Sequence, residues 1–427
     1  MKLKTANYPD TSSAVKKMLT RKPPTSDDAV EVALKIIQDV VAKGDQALYQ
    51  YTQKFDGFPL SGGNFRIIPR ETQDAYAEVK PKFLKALKHA RRNIAHFHEQ
   101  QLKRASVNWK EETESSVIVG EKTTPIGSVG CYIPGGRAKY PSTVLMTALV
   151  AKIAGVPRVV VVSPPPISPE ILVACDLAGV DEVYRIGGAQ AIAALAYGTQ
   201  NIPPVDKIVG PGNKYVTAAK KLVYGVVDVD MPAGPSEVLI IADHTADPRW
   251  VAWDLAAQAE HDPDARVVLA TTEKKMAAAV SKHLTEIVKD SPRKAVMEKS
   301  LEEALVVNVK SIESAIEFAN KYAPEHLEIH TEHPSEVAEK ISFAGAIFVG
   351  ENTPVAIGDY AAGSNHTLPT SGAAKFASPL SVRDFLKTTS TTHVERAGLK
   401  ALSETVETLA EAEGLMAHKE SIKARFK

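Results

Sequence analysis

The chain opens with a polar stretch to about Pro23 that reads as a short arm. "SDDAVEVALKIIQDVVAKGDQALYQYTQKFD" then predicts a helix with Ser26 as N-cap and Gly44 near its end. "KPKFLKALKHARRNIAHFHEQQLKR" predicts a second, basic helix, with His89, His96 and His98 as surface residues. From about Val129 the texture changes. A turn and an apolar helix lead to a buried strand at Val159–Val162, and helix, strand and helix then repeat through "EILVACDLAGVDEVYRIGGAQAIAALAYG" and "DKIVGPGNKYVTAAKKLVYG". After "PAGPSEVLIIAD" the alternation resumes, with a helix at 248–260 and strands at "ARVVLAT", "ALVVNV", "HLEIH" and "GAIFVG". Short apolar strands alternating with helices predict parallel sheets covered on both faces. Two such blocks meet near Ser236, and from about Ser381 the chain is expected to turn helical.

Composition narrows the classes. A chain of 427 residues, 44% hydrophobic, exceeds one ordinary core. Lys plus Arg and Asp plus Glu both number 51, so the balance gives no support to a nucleic-acid or membrane partner. Two cysteines outside any CxxC motif exclude a disulfide framework and point to a reducing cytoplasm. The N-terminus has no apolar h-region, and no run is long and apolar enough to span a bilayer.

Several stretches carry candidate chemistry, each with a plainer alternative. Glu325 beside His326, after Pro324, is either general acid/base machinery or a polar turn at the start of a strand. "IVGPGNKYV", "IPGGRAKYPS" and "IGGAQAIAALAYG" are Gly turns before helices, suited to phosphate or merely tight connections. Gln258 and His261 lie three apart on a predicted helix, Asp359 stands in a Gly-flanked turn near His366, and Glu413 and His418 are close to the end. These N/O donors suit zinc or a similar ion, although no pair has HExxH spacing, and His261 equally suits a helix C-terminus. In the strand holding His326, only His330 could share its face; His330 and His333 are read as surface residues. Cys131 is a nucleophile for aldehyde oxidation or, more simply, a buried hydrophobe.

Eight fragments together resemble the histidinol dehydrogenase family: "GCYIPGGRAKYPSTVLM", "GGAQAIAALAYGT", "DKIVGPGNKYVTAAK", "MPAGPSEVLIIAD", "AAQAEHDPDA", "YAPEHLEI", "GDYAAGSNHTLPT" and "EGLMAHK". They follow that family's order from about residue 120 to the C-terminus.

The resemblance implies a zinc-dependent, NAD-linked oxidation of L-histidinol to L-histidine through bound histidinal, the last step of histidine biosynthesis. It implies one zinc per active site on Gln258, His261, Asp359 and His418, with Glu325 and His326 as the acid/base pair. Tyr132, Gln190 and Asn213 would touch NAD, and Ser236 and Glu413 would join the ligand residues and His326 in holding substrate. The fold implied is α/β: two incomplete Rossmann-like domains in an intertwined homodimer with shared active sites. The division expected is an arm at 1–23, a first domain of 24–130 plus 238–380, a second on the NAD side at 131–237, and a helical tail at 381–427 reaching the partner. A paralogue oxidising another small alcohol would not need both Glu413 and His418, and a zinc hydrolase would leave the Gly turns unexplained.

Overall fold

The computed structural model describes residues 3–9, 13–20, 26–135, 139–231 and 234–426. In chain order its strands are β1 (Lys4–Asn7), β2 (Trp109–Glu114), β3 (Val117–Pro125), β4 (Ser128–Tyr132), β5 (Arg158–Val162), β6 (Glu182–Tyr184), β7 (Lys207–Val209), β8 (Asp228–Val229), β9 (Glu237–Ala242), β10 (Arg266–Thr271), β11 (Leu305–Asn308), β12 (His326–His330), β13 (Ala346–Val349) and β14 (Leu386–Val394).

Two sheets are wholly parallel. One has six strands in the order β1-β11-β10-β9-β12-β13, and the other has five, β6-β5-β4-β7-β8. β1 apart, the two orders are the same. The first strand of each block lies in the middle, the next two build outward on one side, and the last two on the other. The chain therefore switches sides between β4 and β7 and again between β9 and β12, which are the crevices where open α/β sheets bind ligands. Runs such as the "VVVV" that follows Arg158 in β5 are apolar because both faces are covered: Val159 and Val161 enter one core, Val160 and Val162 the other.

Helices between 27 and 105 depart from the expected division. Ala29, Ile36 and Leu48 pack with Val160 and Val162, and Ala75, Leu87 and Ile94 pack with Val129 and Cys131. Both groups thus cover the five-stranded sheet, not the six-stranded one to which 24–130 was assigned. The segment expected as an arm contributes β1 to the six-stranded sheet and the helix Ser13–Leu19; residues 1–2, 10–12 and 21–25 lie outside the described set. His98, expected on the surface, is fully buried, with Nδ1 2.8 Å from Gln101 Oε1.

The tail is not helical throughout either. β14 pairs antiparallel with β3 along its whole length, and β2 completes a small third sheet. "LKTTSTTHV" is exposed on both faces, so it lacks the alternation that marks a half-buried strand; its threonines and the β3 ladder form it instead. The helices Arg396–Ala412 and Met416–Lys423 follow, broken at Gly414 with φ +74°. Among the described residues no helix is long and apolar enough to cross a membrane.

Candidate active site

The helix Ile312–Tyr322 ends at Ala323, which takes a left-handed φ of 53°. That turn and Pro324 deliver Glu325 and His326 to the start of β12, beside the start of β9. Both side chains are buried and both bind the main chain of Glu237. The Glu237 N–H donates to Glu325 Oε2 at 2.7 Å, and His326 Nδ1 lies 2.9 Å from the Glu237 carbonyl oxygen. A carbonyl can only accept, so Nδ1 carries a proton, and whenever the ring is neutral Nε2 is its free base. Nε2 is buried, 3.7 Å from Asp359 Oδ1 and without a hydrogen-bond partner among the described residues.

Burial pushes the Glu325 carboxyl up to about 7, opposed by the His326 charge and the Glu237 N–H. For His326 burial acts downward, but the carboxylates of Glu325 and Asp359 outweigh it and hold the ring up to about 9. Glu237 itself is buried and raised to about 7 by desolvation, against the pull of Arg266.

Asp359 sits on the short helix Val355–Tyr360, within electrostatic reach of His326, His366 and His261. The helix Pro248–Ala259 places Gln258 in its last turn, with its amide nitrogen buried and unpartnered among the described residues; His261 follows in the turn just beyond the helix rather than on it. Gln258, His261, Asp359 and His326 are thus gathered in one region, with Ser236 immediately before β9. Glu413 and His418 are not gathered there. Both are exposed, and among the described residues neither side chain has a hydrogen bond or ion pair.

On the five-stranded sheet, Tyr132 ends β4, and its hydroxyl accepts from the Gly188 N–H at 3.1 Å. Gln190, in the first turn of the helix Gly188–Tyr197, is buried, and among the described residues neither end of its amide has a partner. Asn213 is exposed and caps the helix Lys214–Val223, its Oδ1 accepting from the N–H groups of Tyr215 and Val216 at 3.0 and 3.1 Å. The glycines here have packing reasons of their own: a Cβ on Gly210 would stand 2.2 Å from the Tyr132 carbonyl oxygen. A buried ion pair, Lys220 with Asp230, clamps this turn, since Lys220 Nζ donates to the Gly210 oxygen at 3.0 Å and the Gly210 N–H donates to Asp230 at 2.6 Å.

Sequence reasoning missed Glu237, misplaced His330, and noted His366 only as a neighbour of Asp359. Glu237 acts through its main chain, for which no residue type is diagnostic. His366 bridges the two blocks, donating from Nδ1 to the Asp359 carbonyl at 2.9 Å with Nε2 3.3 Å from the Thr143 hydroxyl. His330, expected on the surface, is buried beside Glu328 and Asp254 because its face of β12 lies under the helix Pro248–Ala259. His333 is exposed, as expected. Cys131 is fully buried, and burial pushes its thiol up to about 12, so it is packing rather than a nucleophile.

An imidazole with one nitrogen tied to a carbonyl and the other left free beside a carboxylate is poised for proton transfer, and two α/β sheets of like order carry it: this is the build of an α/β enzyme. The family model described as histidinol dehydrogenase matches residues 19–426. A histidinol dehydrogenase of Synechococcus sp. is 50% identical over 410 residues, covering 94% of each chain. That of Methanocaldococcus jannaschii is 45% identical over 421 residues, covering 98% of this chain and 97% of its own. The crystal structure of histidinol dehydrogenase from Elizabethkingia anophelis superimposes with a TM-score of 0.93 at 38% identity, covering 99% of this chain and 98% of that one. The chain belongs to the histidinol dehydrogenase family, and with it to the oxidoreductases.

Proposed function

We propose that this protein oxidises L-histidinol to L-histidine with NAD as acceptor, the last step of histidine biosynthesis, in the cytoplasm. The overall change converts a primary alcohol, water and two NAD⁺ into a carboxylate, two NADH and three protons. Bound NAD would take up hydride in each oxidation, and bound zinc would fix the substrate's imidazole and amine so that the carbinol carbon is presented correctly. Gln258, through its amide oxygen, His261 and Asp359 would hold the zinc with His418 of the partner subunit; the carboxylate within reach of three histidines fits such an ion. Tyr132, Gln190 and Asn213 would receive NAD at the switch between β4 and β7, in one of two incomplete Rossmann-like units; the orphaned Gln190 amide supports this.

His326 takes the hydroxyl proton on Nε2 as hydride leaves the carbinol carbon, giving the aldehyde. Glu325 then takes a proton from water as its oxygen adds to the aldehyde carbon, and the proton held on His326 Nε2 passes to the former carbonyl oxygen, giving the hydrate from which the second hydride departs. Ser236 and Glu413 would hold the substrate. The tail supports an intertwined homodimer: Leu409, Leu415 and Met416 are exposed around Glu413 and His418, a surface suited to docking on a second copy.

The observation that carries this reading is the pairing of Glu325 and His326 on the Glu237 main chain. The test is NADH formation by purified protein supplied with L-histidinol, zinc and NAD⁺, expected at two NADH per histidine formed. No NADH from zinc-loaded dimer would overturn the reading.

A further inference from the structure

His326, Glu328 and His330 alternate onto one face of β12, and the helix Pro248–Ala259 covers that face with Asp254 and Gln258 one turn apart. One end of this polar stripe is the candidate active site. The other end gathers Asp254, Glu328 and His330, whose ligand atoms all lie within 4.8 Å of one another.

This cluster lacks the partners that buried polar groups require. Glu328 is 0% exposed and His330 2%. Among the described residues neither ring nitrogen of His330 has a hydrogen-bond partner, nor has Glu328 Oε2. Among the described residues no Lys or Arg forms an ion pair with Asp254 or Glu328; their neighbour is His330, with Nε2 3.4 Å from Glu328 Oε2 and 3.8 Å from Asp254 Oδ2. Two enclosed carboxylates repel each other and lack water, so they call for a positive charge. Burial first, and the Glu328 charge second, push Asp254 up to about 7.

A proton or a metal ion could meet that demand, and for His330 the spacing separates them. A shared proton draws the heavy atoms to hydrogen-bond contact, about 2.5–3.0 Å. Bonds of about 2.0–2.2 Å to a tetrahedral centre set the ligand atoms about 3.3–3.6 Å apart. The separations from His330 Nε2 fit the second case better, which leaves as the alternative a proton held between Asp254 and Glu328, whose carboxyl groups hydrogen-bond each other. One nitrogen and two carboxylate oxygens are also a donor set that suits a zinc-class cation and leaves its two charges neutralised.

We propose that Asp254, Glu328 and His330 bind a divalent cation of the zinc class, separate from the one assigned to Gln258, His261, Asp359 and His418. Asp254 is the least enclosed of the three, its side chain 14% exposed, so the ion has an edge by which to enter and a place for a water ligand. The ion acts as a clasp. It joins the helix bearing Gln258 to the strand bearing His326. It also reaches the helix bearing Asp359, because Glu328 Oε1 accepts from the Val355 N–H at 2.7 Å.

The experiment is elemental analysis of full-length protein loaded with Zn²⁺ alone and dialysed free of excess. Asp254→Asn should carry one zinc per chain fewer than wild type, while His261→Ala should keep the zinc that Asp254→Asn loses. That difference is independent of whether the proposed activity is correct. Equal zinc in Asp254→Asn and wild type overturns the site and assigns a shared proton to the cluster. Should Asp254→Asn fail to fold, Glu328→Gln removes a charge yet keeps an oxygen for the Val355 N–H. Should both fail, diffraction from zinc-loaded wild-type crystals at the zinc absorption edge decides: a peak among the three side chains supports the site, and its absence overturns it.

Discussion

The main chain of Glu237 sets the tautomer of His326. Its carbonyl oxygen lies 2.9 Å from Nδ1, leaving Nε2 as the only nitrogen able to take a proton from substrate. Its N–H, 2.7 Å from Glu325, fixes the neighbouring carboxylate from the same peptide. The two side chains are therefore aimed by β9 and cannot exchange positions.

Their tasks should separate in kinetics. His326→Asn should slow histidinol oxidation by about 10²–10⁴-fold, the usual worth of a positioned base. Glu325→Gln keeps an acceptor for the Glu237 N–H and should impair histidinal oxidation more than histidinol oxidation. Single-turnover assays with each substrate measure this, and equal losses in both variants on both substrates would refute the division.

The pH dependence follows from the raised Glu325 carboxyl, about 7 in the folded protein. As a base it works only when ionised. Histidinal oxidation should therefore rise about tenfold per pH unit below 7 and level off above it. A rate–pH profile of Glu325→Gln should lack that limb; an unchanged limb in the variant would assign it to another group.

Subunit mixing tests the shared site. Asp359→Ala and His418→Ala homodimers should each be nearly inactive. In a mixed dimer one site carries both defects and the other neither, so co-refolded protein should regain a substantial fraction of activity. Mixed dimers isolated by differential tags that stay as inactive as their parents would place His418 in its own chain's site.

Asn213 has two separable jobs. Asn213→Ser keeps a side-chain oxygen to cap the helix Lys214–Val223, whereas Asn213→Ala loses the cap, worth about 1 kcal/mol. If the amide N–H groups meet NAD, both variants should raise KM for NAD while only the alanine lowers Tm. Gln190→Ala should raise the same KM with zinc content unchanged. Unaltered KM in all three would remove NAD from this crevice.

How much could be read beforehand differs from residue to residue. The parallel sheets were legible because β5 and β9 are apolar after their first residues, Arg158 and Glu237, and Glu325–His326 stood out after Pro324. What holds that pair was not legible, since it depends on the register of β9 against β12, segments 88 residues apart in the contact between Glu237 and Glu325. The helices of 27–105 showed that they bury one face, but periodicity does not say against which sheet. His98 and His330 were misplaced for a related reason: an imidazole suits either surface or interior, and only the neighbouring element decides. β14 gave no period to read, being wet on both sides.

The placement of β1 has a consequence for the time course of synthesis. Lys4 lies opposite Leu305, so roughly 300 residues must be added before β1 meets its partner, about 15–60 s at translation speeds of about 5–20 residues per second. The five-stranded sheet, built from residues 128–229, can assemble during that wait. The four residues "KTAN" of β1 are short and mostly polar, a poor template for stray pairing with other chains. A longer, oilier strand at this position would spend the same interval as an aggregation hazard on every ribosome making the protein.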